Sequence, residues 1–393
     1  MKITFMLLDA FTVDGTVRST FTLAGELARR HEVEIVSVLR DAERPALPLS
    51  ARVRLRSLVD RRAGGSGRGA PGWPFGGRAA RLLDEPSALV PARERCYDRF
   101  SAWTDERITR ALRRLRADVL VTTRAGLNLL AARHAPRRVL RIGQEHLRLG
   151  LNDPGVLAEI ERGYSGLDAL TTSTAADRRD YLRRLPGGTP VYAIGNGLAG
   201  GLYPRSRQDN RVVVAAGRLV RLKGHDLLLE AFTKVVEKHP DWRLRIYGAG
   251  PRRDALRSLA TRLGLYNNVL LMNATGDLEG EIAKASVLAL PSRGEGFGMT
   301  IIEAFACGVP VVAFDCPLGP RELVTDGHDG FLVPPEEPAA LAEALIRLID
   351  DEELRLRMAA NARESASRHG IADIADAWES MLAEVRLARS KGA

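Results

Sequence analysis

Short apolar runs alternate with stretches whose apolar residues recur at helical spacing, almost from one end of the chain to the other. A brief apolar run between amphipathic helices reads as a strand buried on both faces, and repeated alternation reads as βαβ units around parallel sheets. In the first half, strands are expected at 2–8, 32–38, 53–58, 118–122, 138–142, 169–172 and 191–194, with helices at 19–30, 93–115, 126–134 and 175–185. The rhythm starts afresh with a strand at 211–216 and a helix at 225–238, then strands at 243–247, 268–272, 287–291 and 309–314.

Between the halves runs Asn196-Gly197-Leu198-Ala199-Gly200-Gly201-Leu202-Tyr203-Pro204, a Gly/Pro-rich connector suited to a hinge. A chain of 393 residues exceeds what one core of ordinary size organises. The expected domains are 1–197 and 198–370, with 371–393 a C-terminal helix crossing back to the first. The fold class is α/β: two Rossmann-like, doubly wound domains whose strand ends face each other across a cleft. Residues 60–92 break the rhythm; Gly64 to Gly77 is a loop by composition, with Trp73 and Phe75 close to Arg78 and Arg81. Aromatics beside cations suit a membrane interface or a lipid-linked acceptor, although a plain surface insertion has the same composition.

Charge is placed unevenly. Residues 1–200 carry 33 Lys and Arg against 22 Asp and Glu, a net of +11, whereas 201–393 carry 25 against 27, a net of −2. Within 51–150 the balance is 22 against 9, a net of +13. Arginine-rich coding would raise the total, but it does not explain the asymmetry, so the first half is expected to face something anionic: a membrane surface, a phosphate-bearing acceptor or nucleic acid. Cys96, Cys307 and Cys316 have no C-x-x-C or metal-ligand spacing, which points to a reduced compartment without disulfides or structural zinc. The apolar start ends at Asp9, too short for a signal peptide, and no run of 18 apolar residues occurs. A cytoplasmic protein, peripheral on the inner face of the membrane, is expected.

Four constellations carry chemistry. Gly217-Arg218-Leu219-Val220-Arg221-Leu222-Lys223-Gly224 follows a strand and opens a helix. Gly217 permits close backbone approach, and Arg218 and Lys223 bring two cations to one crevice, as a departing diphosphate requires. Pro291-Ser292-Arg293-Gly294-Glu295-Gly296-Phe297-Gly298-Met299-Thr300-Ile301-Ile302-Glu303 is a second strand–turn–helix. The amides around Gly298, Met299 and Thr300 offer an anion site, Glu295 reaches a sugar, and Glu303 can accept both hydroxyls of a ribose. After the first strand, Gly15 and Thr16 precede a helix without forming G-x-G-x-x-G, so a dinucleotide fingerprint is missing, yet their amides remain phosphate ligands. Last, Gln144-Glu145-His146 ends a strand, which sets His146 beside donor or acceptor, or simply in a structural hydrogen bond.

Taken together these blocks resemble the retaining GT-B glycosyltransferases of family four, the glycosyltransferase group-1 domain, over nearly the whole chain. The resemblance is densest from Arg211 to about Pro335, where the Glu295 and Glu303 pair has the family's spacing. It implies that Arg218 and Lys223 bind the diphosphate, Glu303 the ribose, Glu295 the transferred sugar, and amides near Met299 the phosphates. Asn196 falls in I-G-N-G where the family has I-P-N-G, and His146 falls at its cleft histidine. Asp315-Cys316-Pro317-Leu318-Gly319-Pro320-Arg321-Glu322 is similar to a loop of transferases that build lipid-linked saccharides, glycans or teichoic-acid-like polymers.

The resemblance implies transfer of a hexosyl or N-acetylhexosaminyl group from a nucleotide-sugar, expected to be a UDP-sugar, to an acceptor hydroxyl with retention. The leaving phosphate takes the acceptor's proton; no cofactor or metal is expected, since two basic side chains supply the charge. The implied partners are that donor, an acceptor saccharide, polymer or lipid-linked glycan, and an anionic membrane surface. Glycosylation of a small natural product is the alternative within the same chemistry. The alternative of another class is a non-catalytic membrane- or nucleic-acid-binding protein of this fold. No nucleic-acid-binding module is recognisable, so nucleic acid is not expected as a partner.

Overall fold

The computed structural model describes residues 1–62, 76–185 and 187–391. The chain forms two compact units, one comprising Met1–Gly197 with Ile371–Ala393 and the other Leu198–Gly370.

The first unit is built on seven parallel strands: β1 (Lys2–Asp9), β2 (Glu32–Arg40), β3 (Arg54–Asp60), β4 (Val119–Thr123), β5 (Leu140–Glu145), β6 (Ala169–Thr172) and β7 (Val191–Ala193). Their order is β3-β2-β1-β4-β5-β6-β7. Strand β1 shows why an unbroken apolar run was required. Ile3, Phe5 and Leu7 enter one core, and Met6 and Leu8 enter another, so successive side chains supply opposite faces. The helix Ile371–Lys391 completes the first of these cores. Trp378 is buried there with its ring centroid 6.5 Å from that of Phe5. Arg30–Asp376 and His31–Glu379, each 2.7 Å, tie the same helix to the segment after Gly15–Leu27. Such part-exposed pairs contribute ~0–1 kcal/mol, so burial of Trp378 does most of the anchoring.

Two local expectations are corrected. The helix expected over 93–115 is only Ala102–Arg113. Ser101 caps it in a capping box with Thr104, and before it Glu94 accepts the Cys96 amide at 2.8 Å, which closes a turn instead of extending a helix. The stretch expected to be loop, Gly64 to Gly77, gives way at its end to the helix Gly76–Asp84, which was not in the expected set. Trp73 and Phe75 lie outside the described residues.

The second unit holds β8 (Val212–Ala216), β9 (Arg243–Tyr247), β10 (Val269–Leu271), β11 (Val287–Leu290), β12 (Val311–Phe314) and β13 (Gly330–Val333). These strands are also parallel, in the order β10-β9-β8-β11-β12-β13. Val213 and Ala215 of β8 feed one core, while Val212, Val214 and Ala216 feed the other. Strand β13 was absent from the expected set, because its four residues follow a Gly-rich turn and carry little pattern of their own. From β8 the chain proceeds outward to β9 and β10, then returns to place β11 on the other side of β8. The carboxyl ends of β8 and β11 therefore flank a topological switch point, the position at which open α/β sheets bind ligands. Among the described residues, no helix is long and apolar enough to cross a membrane.

Candidate active site

Two loops leave the sheet at this switch point. The first follows β8: Gly217 and Arg218 lead to the 3₁₀ turn Arg221–Lys223, then Gly224, then the helix His225–Lys238. Gly224 has φ +63°, and a Cβ there would lie 1.8 Å from the carbonyl oxygen of Pro291. Glycine is thus required twice over, for its dihedral and for backbone contact with the second loop. That second loop follows β11 and runs through Glu295 to Gly298, ahead of the helix Met299–Ala306.

Across the two loops the Lys223 ammonium donates to Oε1 of Glu295 at 2.6 Å, and the Ser292 hydroxyl donates to the same oxygen at 2.6 Å. Glu295 is buried, whereas Arg218 is exposed. Glu303 lies one turn into Met299–Ala306, only 2% exposed among buried Ile301, Ile302, Ala304 and Phe305. A carboxylate on so apolar a helix face demands polar company, which is costly to maintain without use. Met299 and Thr300 are the first two residues of that helix, where amide N–H groups have no carbonyl one turn back.

Neighbouring groups are held neutral. Burial and the adjacent Lys223 ammonium bring the His225 imidazole down to about 4. Burial and the adjacent Glu295 carboxylate push the Cys316 thiol up to about 12, which makes it a poor nucleophile. Sequence reasoning passed over His225 and Ser292, which lie two residues after Lys223 and three before Glu295. It also passed over the Arg293–Asp226 pair, whose partners are separated by 67 positions.

Gly217, Arg218, Lys223, Glu295, Gly298, Met299, Thr300 and Glu303 all belong to the second unit, while Gly15, Thr16, His146 and Asn196 belong to the first. Gly15 and Thr16 open the helix Gly15–Leu27, but Asp14 caps it by accepting the Val17 amide at 2.9 Å. This cap engages the Val17 amide, a different group from the Gly15 and Thr16 amides expected to meet a phosphate. His146 follows β5, and its Nε2 is buried without a hydrogen-bond partner among the described residues. Burial and the nearby Arg124 cation hold its pKa down to about 4. Beside it, Glu145 accepts hydrogen bonds from the Tyr164 hydroxyl and, at 2.8 Å, from Asn128 Nδ2. Burial nonetheless pushes this carboxyl up to about 8, so it carries a proton at neutral pH. Asn196 is buried after β7.

Residues 204–365, which contain both loops, match the family model described as glycosyl transferases group 1. These residues are a group 1 glycosyltransferase domain. An exopolysaccharide phosphotransferase of Streptomyces coelicolor is 38% identical over 393 residues, covering 98% of this chain and 41% of that protein. The chain thus spans about two fifths of that relative's length. Staphylococcus aureus TarM, solved with fondaparinux, alpha-GlcNAc-glycerol and UDP, superposes with a TM-score of 0.81 at 16% identity, covering 96% of this chain and 99% of TarM. Anabaena HepE, solved with UDP and glucose, superposes with a TM-score of 0.73 at 20% identity, covering 98% and 99%. The group 1 domain and its companion unit together have the two-domain GT-B fold.

Proposed function

We propose that this chain is a retaining, metal-independent glycosyltransferase that moves a hexosyl or N-acetylhexosaminyl group from a UDP-sugar to an acceptor hydroxyl of a cell-envelope glycan. The observation that carries this reading is the 2.6 Å pair of Lys223 and Glu295 at the sheet's switch point, one residue suited to phosphate and the other to sugar. In the reaction the C1–O bond to the diphosphate breaks as a bond from the acceptor oxygen to C1 forms. The acceptor's proton passes to the departing phosphate oxygen. Negative charge accumulates on the diphosphate, where Arg218 and Lys223 stabilise it more strongly than in the ground state. Amides at Met299 and Thr300 add dipoles of the same sense, Glu303 accepts the ribose hydroxyls, and Oε2 of Glu295 accepts a sugar hydroxyl while Oε1 is held by Lys223 and Ser292. The acceptor belongs to the first unit, with neutral His146 contributing a hydrogen bond.

UDP is favoured because both solved likenesses described above contain it. The name of the Streptomyces relative favours a second reading, transfer of a sugar phosphate. The two differ in which bond of the donor breaks, and therefore in the nucleotide released. A panel of UDP-, GDP- and ADP-sugars offered with glycan acceptors, read by product mass, tests the proposal; no glycosyl product from any donor would overturn it. We also propose peripheral docking of the first unit on an anionic membrane. Arg110, Arg113, Arg114 and Arg116 stand exposed on and just after the helix Ala102–Arg113. Nearby, burial first and then the Arg113 and Arg133 cations lower the His134 pKa.

A further inference from the structure

Arg293 lies two residues before Glu295 and grips three separate segments. Its backbone amide donates to the Leu222 carbonyl at 2.8 Å, and Nη1 donates to the Arg221 carbonyl at 2.8 Å. Nη1 and Nη2 also fork onto the two carboxylate oxygens of Asp226 at 2.9 and 3.1 Å. Nε donates to Glu336, just beyond β13, at 2.8 Å. The Arg293 and Asp226 side chains are 15% and 18% exposed, so solvent and salt screen this pair less than a surface pair. Burial works against the Asp226 charge, but the hydrogen bonds from Arg293 prevail and hold its carboxyl below the usual range. Asp226 also sits in the first turn of the helix His225–Lys238, where a negative charge meets the helix dipole favourably.

The position of this grip matters. Arg221 and Leu222 are the two residues immediately before Lys223, and both of their carbonyls end on Arg293. The turn that carries the lysine is thereby fastened to the loop that carries the glutamate. A planar fork with donors in fixed directions can do this, whereas an ammonium on a flexible stem cannot. We propose that Arg293 is a positioning residue whose guanidinium sets the Lys223–Glu295 pair through the Arg221 carbonyl and the Asp226 carboxylate. This rests on the glycosyl-transfer reading, since the pair acts on the donor only there.

A clasp that merely stabilises the fold would act independently of Lys223; one that positions Lys223 would not. The test is a double-mutant cycle of wild type, Arg293→Lys, Lys223→Ala and the double variant, read as kcat, donor KM and UDP affinity by titration calorimetry. Arg293→Lys is expected to lower kcat roughly 10- to 100-fold, with KM changed less than about threefold, because small misplacements of a transition-state contact cost rate before binding. On the Lys223→Ala background the same change is expected to lower kcat less than about threefold, since the contact it positions is already gone. UDP affinity should show the same coupling. Equal fractional losses on both backgrounds, or normal kcat in Arg293→Lys, would overturn the positioning role and leave glycosyl transfer standing. If Arg293→Lys does not fold, Asp226→Asn is carried through the same cycle, with the same coupling expected. Should wild type bind UDP and transfer nothing, the transfer reading falls, and coupling or additivity in UDP affinity decides the clasp. A wild type that neither binds UDP nor transfers overturns both.

Discussion

Lys223 and Ser292 fill one oxygen of Glu295 from two sides, each at 2.6 Å, so the carboxylate is oriented by groups from both loops of the switch point. An arrangement of this kind is fixed in advance of the donor, which lowers the reorganisation needed when charge develops.

Removing either cation should therefore weaken the transition state. Arg218→Ala and Lys223→Ala are each expected to lower kcat by a factor of ~10²–10³, equivalent to ~2.7–4 kcal/mol. Steady-state kinetics at saturating donor check this, with circular dichroism confirming the fold. Near-normal turnover in either variant would remove that residue from the leaving-group site.

Because these two side chains supply the positive charge, activity is expected to persist in excess EDTA. Product formation with and without chelator measures it. Loss of activity that magnesium or manganese restores would contradict the proposed leaving-group chemistry.

Much of this site was legible from sequence because its parts are local. A strand end, a glycine and a charged residue within a few positions reveal where Lys223 and Glu295 lie, but that their loops are neighbours follows from the reversal of strand order that sets β11 beside β8, which alternation does not record. The Arg293–Asp226 fork was not legible, since an arginine in a loop and an aspartate in a first helical turn are each ordinary alone. The misread helix over 93–115 has a similar origin. Helix-favouring residues from Arg93 to Arg99 are diverted by side-chain bonds such as Glu94 to the Cys96 amide, which periodicity does not record.

Glu145 ties stability to pH. Its carboxyl is raised from an ordinary value of 4.5 to about 8 by burial, so the folded state holds a proton that the unfolded state releases. Its contribution is complete below the unfolded value and is lost as pH rises through about 8. Glu145→Gln, which keeps the shape without the titration, is expected to gain relative to wild type by roughly 4 kcal/mol from pH 5 to 8. Denaturant unfolding of both proteins across that range checks this; parallel curves would contradict the buried, protonated carboxyl.

Liposome co-sedimentation checks the docking of the first unit. Each basic residue near an anionic leaflet contributes ~1 kcal/mol, so binding should rise with anionic lipid, fall with salt, and weaken when Arg110, Arg113, Arg114 and Arg116 are changed together to Ala. Equal binding to neutral and anionic vesicles, or none to either, would end the membrane proposal and leave the transfer reaction untouched.

The most direct test of the central claim follows the donor's phosphorus and the product's anomeric proton by NMR during a single reaction with a UDP-sugar. Cleavage of the C1–O bond beside Lys223 and Arg218 predicts release of UDP, and attack of the acceptor on the same face that the diphosphate leaves predicts a product with the donor's anomeric configuration. Release of UMP with phosphate carried into the product, or a product of inverted configuration, would contradict it.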